Sequence, residues 1–248
     1  MSSGLASALL AGFMLAAWAV GMRLGRGLGD TQVGTDGFEE AGTALLALLL
    51  SFTFAMAIQK YERRRELLIT DTNAIGDFYT CASLLEEPTR SRLQDVIRDY
   101  AALRLDTARR AVSASDEDLA GVLPRFDRMQ SRMTELVAEA LRVGNPIPET
   151  LVTTLNEVTS SQTSRLALLR DRLPASVFSL LCLSAVLSSA LIGRQHAASG
   201  RIRFFGALGF VLVVGFVVWV TLELNHPGRG MARLDQEPLE RLIATMQH

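Results

Sequence analysis

Glu223 and His226 stand three residues apart, the spacing at which one helix face offers a carboxylate and an imidazole to a metal. A carboxylate-bridged bundle site needs two such pairs and further glutamates, and the sequence holds one. The remaining histidines, His196 and His248, complete no HxxxH or HExxH spacing. Cys81 and Cys182 form no CxxC pair and fall in helical stretches, where a small buried residue is the plain reading. The sequence has no phosphate-cradling glycine loop and no nucleophile–base motif. Its acidic run, Asp116, Glu117 and Asp118, reads as a helix N-terminus. Together these residues predict no metal site, no cofactor and no enzyme.

More informative are charges on the apolar side of helices. In "RRRELLITDTNAIGDFY" (63–79), a turn of 100° per residue puts Leu67, Leu68, Ile75, Phe78, Ala82 and Leu85 in one sector. Arg64 and Asp71 fall in that sector, whereas Glu66, Asn73 and Asp77 point away. The next helix has the stripe Leu93, Val96, Ile97, Tyr100 and Leu103, with Arg104 near its middle, and a later one carries Gln162 among leucines. An unpaired buried charge costs several kcal/mol, so partners are expected. Asp71 is expected to meet Arg104, with Tyr100 and Gln162 completing a network. Three readings stay open: a structural clasp fixing register, a conduction or ligand role, and plain exposure. Gly76, inside a helix, suggests close approach by another helix; Asn73 and Gly76 suit a subunit contact as well as a site. In "LELNHPGRG", Glu223, Asn225 and His226 crowd a helix end stopped by Pro227 and Gly230. That end is either a helix stop at the headgroups or a polar constriction at a pore mouth.

The elements that must position these residues are of two kinds. Four uncharged apolar stretches, 5–22, 41–58, 175–192 and 204–222, approach the ~20 residues that cross a bilayer. The first lacks a basic n-region and is read as a retained span rather than a signal peptide. Trp18 and Trp219 suit interfacial anchors. Small residues four apart, Ala8, Gly12 and Ala16 in the first span and Ser184 and Ser188 in the third, predict close helix approach. The alternative is that Ser179, Ser184, Ser188 and Ser189 line a wet pathway.

Between the second and third spans, amphipathic patterns predict helices near 62–86, 90–112, 125–143 and 148–172. "EEPT", "SASDED" leading to Pro124, and "GNPIP" mark the breaks. The third stripe is Phe126, Met129, Met133, Leu136, Val137 and Ala140; the fourth is Leu151, Leu155, Val158, Leu166 and Leu169. An even number of antiparallel rods leaves the membrane and returns to it with short turns, so a bundle continuous with the spans is the economical arrangement. The expected fold is all-α: four transmembrane helices with a cytoplasmic four-helix bundle inserted between the second and third. Its segments are 1–61, 62–172, 173–224 and a tail, 225–248. The tail carries a short amphipathic helix with Leu239, Leu242, Ile243 and Met246 on one face, suited to the membrane surface or to the bundle.

The chain's 248 residues are 49% hydrophobic and 21% charged, too apolar for a soluble domain and too charged for a wholly embedded one. A formal charge of −1 gives no reason to expect nucleic acid. Lys60, Arg63, Arg64, Arg65, Arg165, Arg170 and Arg172 flank the bundle, with Arg229 and Arg233 in the tail. Arg23, Arg26, Arg194, Arg201 and Arg203 lie on the other side, among Asp30, Asp36, Glu39 and Glu40. That balance predicts both termini and the bundle in the cytoplasm.

The ordered set "GFEEAGTALLALLLSFTFAMAIQKYERRRELLITDTNAIGDFY", "RDYAALR", "RLPASV" and "LELNHPGRGMARLDQEPL" resembles the bestrophin-like family of bacterial membrane proteins over nearly the whole chain. Phe52, Phe54, Arg64, Arg65, Asn73, Ala74, Ile75, Gly76, Tyr100, Arg104, Pro227, Gly230 and Pro238 match its pattern. Asp71 replaces the usual glutamate and keeps the carboxylate. Asn225 replaces a usual acidic residue, which weakens a cation-coordination reading there. The resemblance implies kinship with oligomeric, helical anion channels, hence an inner-membrane homo-oligomer passing small inorganic ions. The rivals are a non-conducting scaffold or stress-associated interaction protein, and a membrane sensor. Against the sensor stands the short tail, which leaves no room for an output domain.

Overall fold

The structure, a computed structural model, describes residues 3–27, 36–110, 116–143, 147–170, 173–198, 204–225 and 234–247. Among the described residues every regular element is a helix: α1 (Ser3–Gly27), α2 (Asp36–Ser83), α3 (Thr89–Arg110), α4 (Asp116–Val143), α5 (Pro148–Arg170), α6 (Ala175–Ala198), α7 (Phe204–Asn225) and α8 (Glu237–Met246). The chain divides into two compact units, Met1–Tyr61 with Arg172–His226 and Glu62–Asp171 with Pro227–His248.

Helix α2 contributes to both units and runs unbroken for 48 residues. It joins the expected span 41–58 to the expected helix 62–86, because Gln59, Lys60 and Tyr61 include neither proline nor glycine. It ends before "EEPT" with tightened turns, Leu84 N–H donating to the Cys81 carbonyl and Leu85 N–H to that of Ala82, both at 3.2 Å.

The first unit packs α1, α6, α7 and the early part of α2 around Leu10, Met14, Leu46, Leu181, Ala185, Val211, Val214 and Val218. By length and composition, α1, α2, α6 and α7 are each able to cross a membrane. Their outward residues are apolar too: Phe13, Leu48, Phe52, Leu183, Phe205 and Phe216 are exposed. Helices apolar all round suit a lipid surrounding.

Contact between α1 and α6 does not use the stripe expected from spacing. Ala8, Gly12 and Ala16 are exposed, and a Cβ on Gly12 would meet open space. The buried face of α1 instead follows Met14, Trp18 and Gly21, continuing to Gly25 at the same helical spacing. There a Cβ on Gly21 would collide with the Ala190 carbonyl, and one on Gly193 with that of Trp18. Trp18 is buried at this contact, and its Nε1 donates to His196 Nδ1 at 3.2 Å.

The second unit packs the late part of α2 with α3, α4, α5 and α8. Its core includes Ile75, Phe78, Leu93, Ile97, Tyr100, Phe126, Met133, Leu136, Leu151 and Val158, joined by Leu239 and Met246 of the tail helix. Helix α8 thus packs on the bundle. Tyr79 Oη and Arg98 Nε both donate to the Met246 carbonyl, at 3.2 and 2.8 Å. Helix α4 begins nine residues before its expected start. Pro124 lies inside the helix on its exposed side, where losing one backbone donor is tolerated.

Candidate functional site

The amphipathic faces of α2, α3 and α5 converge on one carboxylate. Asp71 sits on the buried face of α2, three and four residues from Leu68 and Ile75. Arg104 follows Ile97, Tyr100 and Leu103 on α3. From α5, the 3–4 spacing of Leu151, Leu155, Val158, Ser161 and Arg165 brings the last two to the same place.

Arg104 Nη2 donates to Asp71 Oδ1, which also accepts from Ser161 Oγ at 2.6 Å. Arg165 Nη1 lies 3.7 Å from Asp71 Oδ2. The Asp71 and Arg104 side chains are 2% and 3% exposed, that of Arg165 18%. The Arg104 guanidinium lies 5.8 Å from the Tyr100 ring centre and 5.6 Å from that of Phe126. These electron-rich faces offset part of its lost hydration. Tyr100 Oη donates to Gln162 Oε1 at 2.9 Å, and Gln130 Nε2 donates to the same oxygen at 2.7 Å.

The charges are unequal in number: one carboxylate faces two guanidiniums. Burial first, and the Arg104 guanidinium second, lower Arg165 to about 10, so it still carries its charge at neutral pH. Burial pushes the Tyr100 phenol up, keeping it neutral and able to donate. Such an arrangement fixes helix register and orders donors around a carboxylate; it contains no nucleophile–base pair.

Arg64, Asp71, Tyr100, Arg104 and Gln162 are all buried in this unit. Asn73 is exposed on α2 and stands outside the network. Gly76 faces α8, where an added Cβ would lie 3.2 Å from Leu242 Cδ1. The 3–4 spacing on α5 reaches Ser161 and Arg165, although Arg165 also stands among the arginines that flank the bundle. Gln130, an isolated amide on α4, carried no signal of its own.

At the other candidate place, Ser3 Oγ donates to Glu223 Oε1. Asn225 is buried, and its Oδ1 accepts from the Leu173 backbone N–H at 2.9 Å, bracing the approach to α6. His226, Pro227 and Gly230 lie outside the described residues. Among the described residues no three His, Cys, Asp or Glu side chains gather as a metal site. Between α3 and α4 an open groove of about 300 Å³ is lined by Val96, Asp99, Arg125, Arg128, Met129 and Arg132.

Comparison with known proteins agrees with this architecture. The Bestrophin-like domain family matches residues 7–239. No curated protein sequence matches the chain. A crystal structure of a point mutant of a bacterial bestrophin homolog from Klebsiella pneumoniae is similar, with TM-score 0.72 and 14% identity over 97% of each chain. A second crystal structure, of a membrane protein variant, is similar with TM-score 0.67 and 14% identity over 95% of each chain. At that identity the two structures speak for the fold, and the family match speaks for descent. The chain is a helical membrane protein and belongs to the Bestrophin-like family.

Proposed function

We propose that this protein is one subunit of an oligomeric, channel-like assembly of a bacterial inner membrane, passing small inorganic ions. The observation that carries the reading is the extent of the match: the family covers residues 7–239 and the similar fold 97% of the chain. Four helices of membrane-crossing length with outward apolar residues support embedding in lipid. Residues 1–61 and 173–224 form the transmembrane part, 62–172 a cytoplasmic bundle, and 225–248 a cytoplasmic tail. The arginines and Lys60 around the bundle support that orientation.

Anion and cation flux into proteoliposomes tests the reading, with Arg104→Ala at matched yield and oligomeric state alongside. Selective flux in the wild type, altered in the variant, supports a channel. No flux of either ion class, across pH and calcium concentration, overturns it in favour of a non-conducting scaffold. One observation favours that second reading: Asp71 and Arg104 are closed inside a packed core, as suits a clasp between helices.

A further inference from the structure

Helices α3 and α4 pack antiparallel, and Arg92 Nη1 donates to Glu139 Oε1 across them at 2.8 Å. Two turns on along α3 and two turns back along α4, the same register sets Asp99 opposite Arg132. Opposite charges so placed should pair, yet they do not. Asp99 makes no ion pair among the described residues, and Arg132 turns along its own helix to Glu135 at 3.0 Å. Between Asp99 and Arg132 lies the open groove of about 300 Å³. Arg125, Arg128 and Arg132 line it from α4 and Asp99 from α3, with Val96 and Met129, which pack on the core, completing the lining. Arg125 also has no partner among the described residues. Arg128 bonds the Pro124 carbonyl through Nε, which leaves both Nη groups to the groove. Three guanidiniums against one carboxylate give this lining two positive charges in excess.

We propose that the α3–α4 groove binds one small organic dianion that also carries a hydrogen-bond donor. Its acidic oxygens bond the guanidiniums of Arg125, Arg128 and Arg132, its donor bonds the Asp99 carboxylate, and its carbon body rests on Val96 and Met129. Each part of the ligand follows from a part of the lining. Two negative charges balance the excess, and planar guanidiniums suit carboxylate or phosphate oxygens. The three arginines span about 10 Å of α4 at 1.5 Å per residue, which fits a short carbon chain. A carboxylate on the facing wall repels an anion that offers it no hydrogen, so Asp99 favours a hydroxyl or amine beside the acid. The Arg132–Glu135 pair is exposed and worth little, so Arg132 is able to leave it for the ligand. Hydroxy-dicarboxylates and phosphate monoesters share this chemistry.

Calorimetric titration of the purified full-length protein tests this, at constant ionic strength and under conditions that keep every probe doubly ionised. Malate and glycerol 3-phosphate carry two negative charges and a hydroxyl; succinate and methyl phosphate are their counterparts without it. At least one of the first two should bind with Kd of about 1 mM or tighter, and which one binds separates carboxylate from phosphate. Arg125→Gln and Arg132→Gln should each weaken that binding by up to about fivefold, the range of exposed charge pairs, and the double variant more. Arg142→Gln, exposed on α4 outside the groove, should leave it unchanged. Asp99→Asn should erase the preference for the hydroxyl-bearing probe and strengthen its counterpart, a reversal that a merely structural aspartate would not produce. No binding of malate or glycerol 3-phosphate overturns the proposal, as does binding unchanged in the double arginine variant. Counterparts that bind as well as the hydroxyl-bearing probes, in the wild type and in Asp99→Asn alike, overturn it too, because no donor is then read. The readout uses no flux, so failure of the channel reading leaves this result standing, and the reverse.

Discussion

Arg104 Nη2 donates to Asp71 Oδ1 in a core where the two side chains are 3% and 2% exposed. Breaking such a pair from one side strands a charge in low dielectric, whereas replacing both partners with apolar groups removes charge and desolvation together. Asp71→Ala leaves Arg104 and Arg165 facing each other without a carboxylate. It should lower Tm by roughly 10 °C, from the ~3–5 kcal/mol typical of a half-broken buried pair. The double variant Asp71→Leu with Arg104→Met should recover part of that loss, since Arg165 then stays without its carboxylate. Equal instability of the double and the single variant in thermal unfolding removes the clasp as an explanation.

Helical periodicity made the all-α class legible, as well as the position of Asp71 on the apolar sector of α2. Side-chain direction at 100° per residue is a local property and needs no tertiary knowledge. Other features depended on what packs against what. Ala8, Gly12 and Ala16 have the spacing of a contact stripe, but only the partner helix decides that Met14, Trp18 and Gly21 face it instead. Pro124 reads as a break because its missing donor is costly in a helix interior, yet it lies on an exposed side after an acidic N-terminal run. Arg165 had two uses consistent with its position, a membrane flank and a core partner, and spacing alone does not choose between them.

Arg165 should behave as a destabilising charge in the bundle core. Its pKa falls from the ordinary guanidinium value to about 10, burial being the first cause and Arg104 the second. For a base, a folded value below the unfolded one means the unfolded state holds the proton more tightly. The cost is then fully present below about pH 10 and is relieved only as pH rises beyond that. At neutral pH, Arg165→Gln should therefore raise Tm by about 3 °C. Its advantage over the wild type should stay flat between about pH 6 and 8. A loss of Tm as large as that of Asp71→Ala contradicts this account.

Helix α8 is held by buried apolar residues and by donors to its last turn. Leu239 and Met246 are 1% and 2% exposed, and Arg98 and Tyr79 both donate to the Met246 carbonyl. The Arg109–Glu240 pair, at 2.8 Å, is exposed and should contribute little. Leu239→Ala should cost about 2–5 kcal/mol of docking and raise hydrogen exchange throughout 237–246. Arg109→Ala should leave exchange there within twofold of the wild type. Protection lost equally in both variants would show that surface charge, not burial, holds the helix.

The two faces of α1 give the sharpest contrast in the first unit, because chemically identical substitutions should diverge. A Cβ on Gly21 would run into the Ala190 backbone carbonyl, and backbone cannot rotate away as a side-chain tip can. A Cβ on Gly12 meets nothing, and alanine is the better helix former by up to ~1 kcal/mol. Gly21→Ala should therefore destabilise by about 1–3 kcal/mol, the usual range for overpacking. Gly12→Ala should be neutral or slightly stabilising in the isolated subunit. Thermal unfolding in detergent, with monodispersity checked for each variant, separates the two. Instability of Gly12→Ala that appears only in the assembled state would place that face against a neighbouring copy. Equal stability of both variants would mean that α1 and α6 are not packed through Gly21.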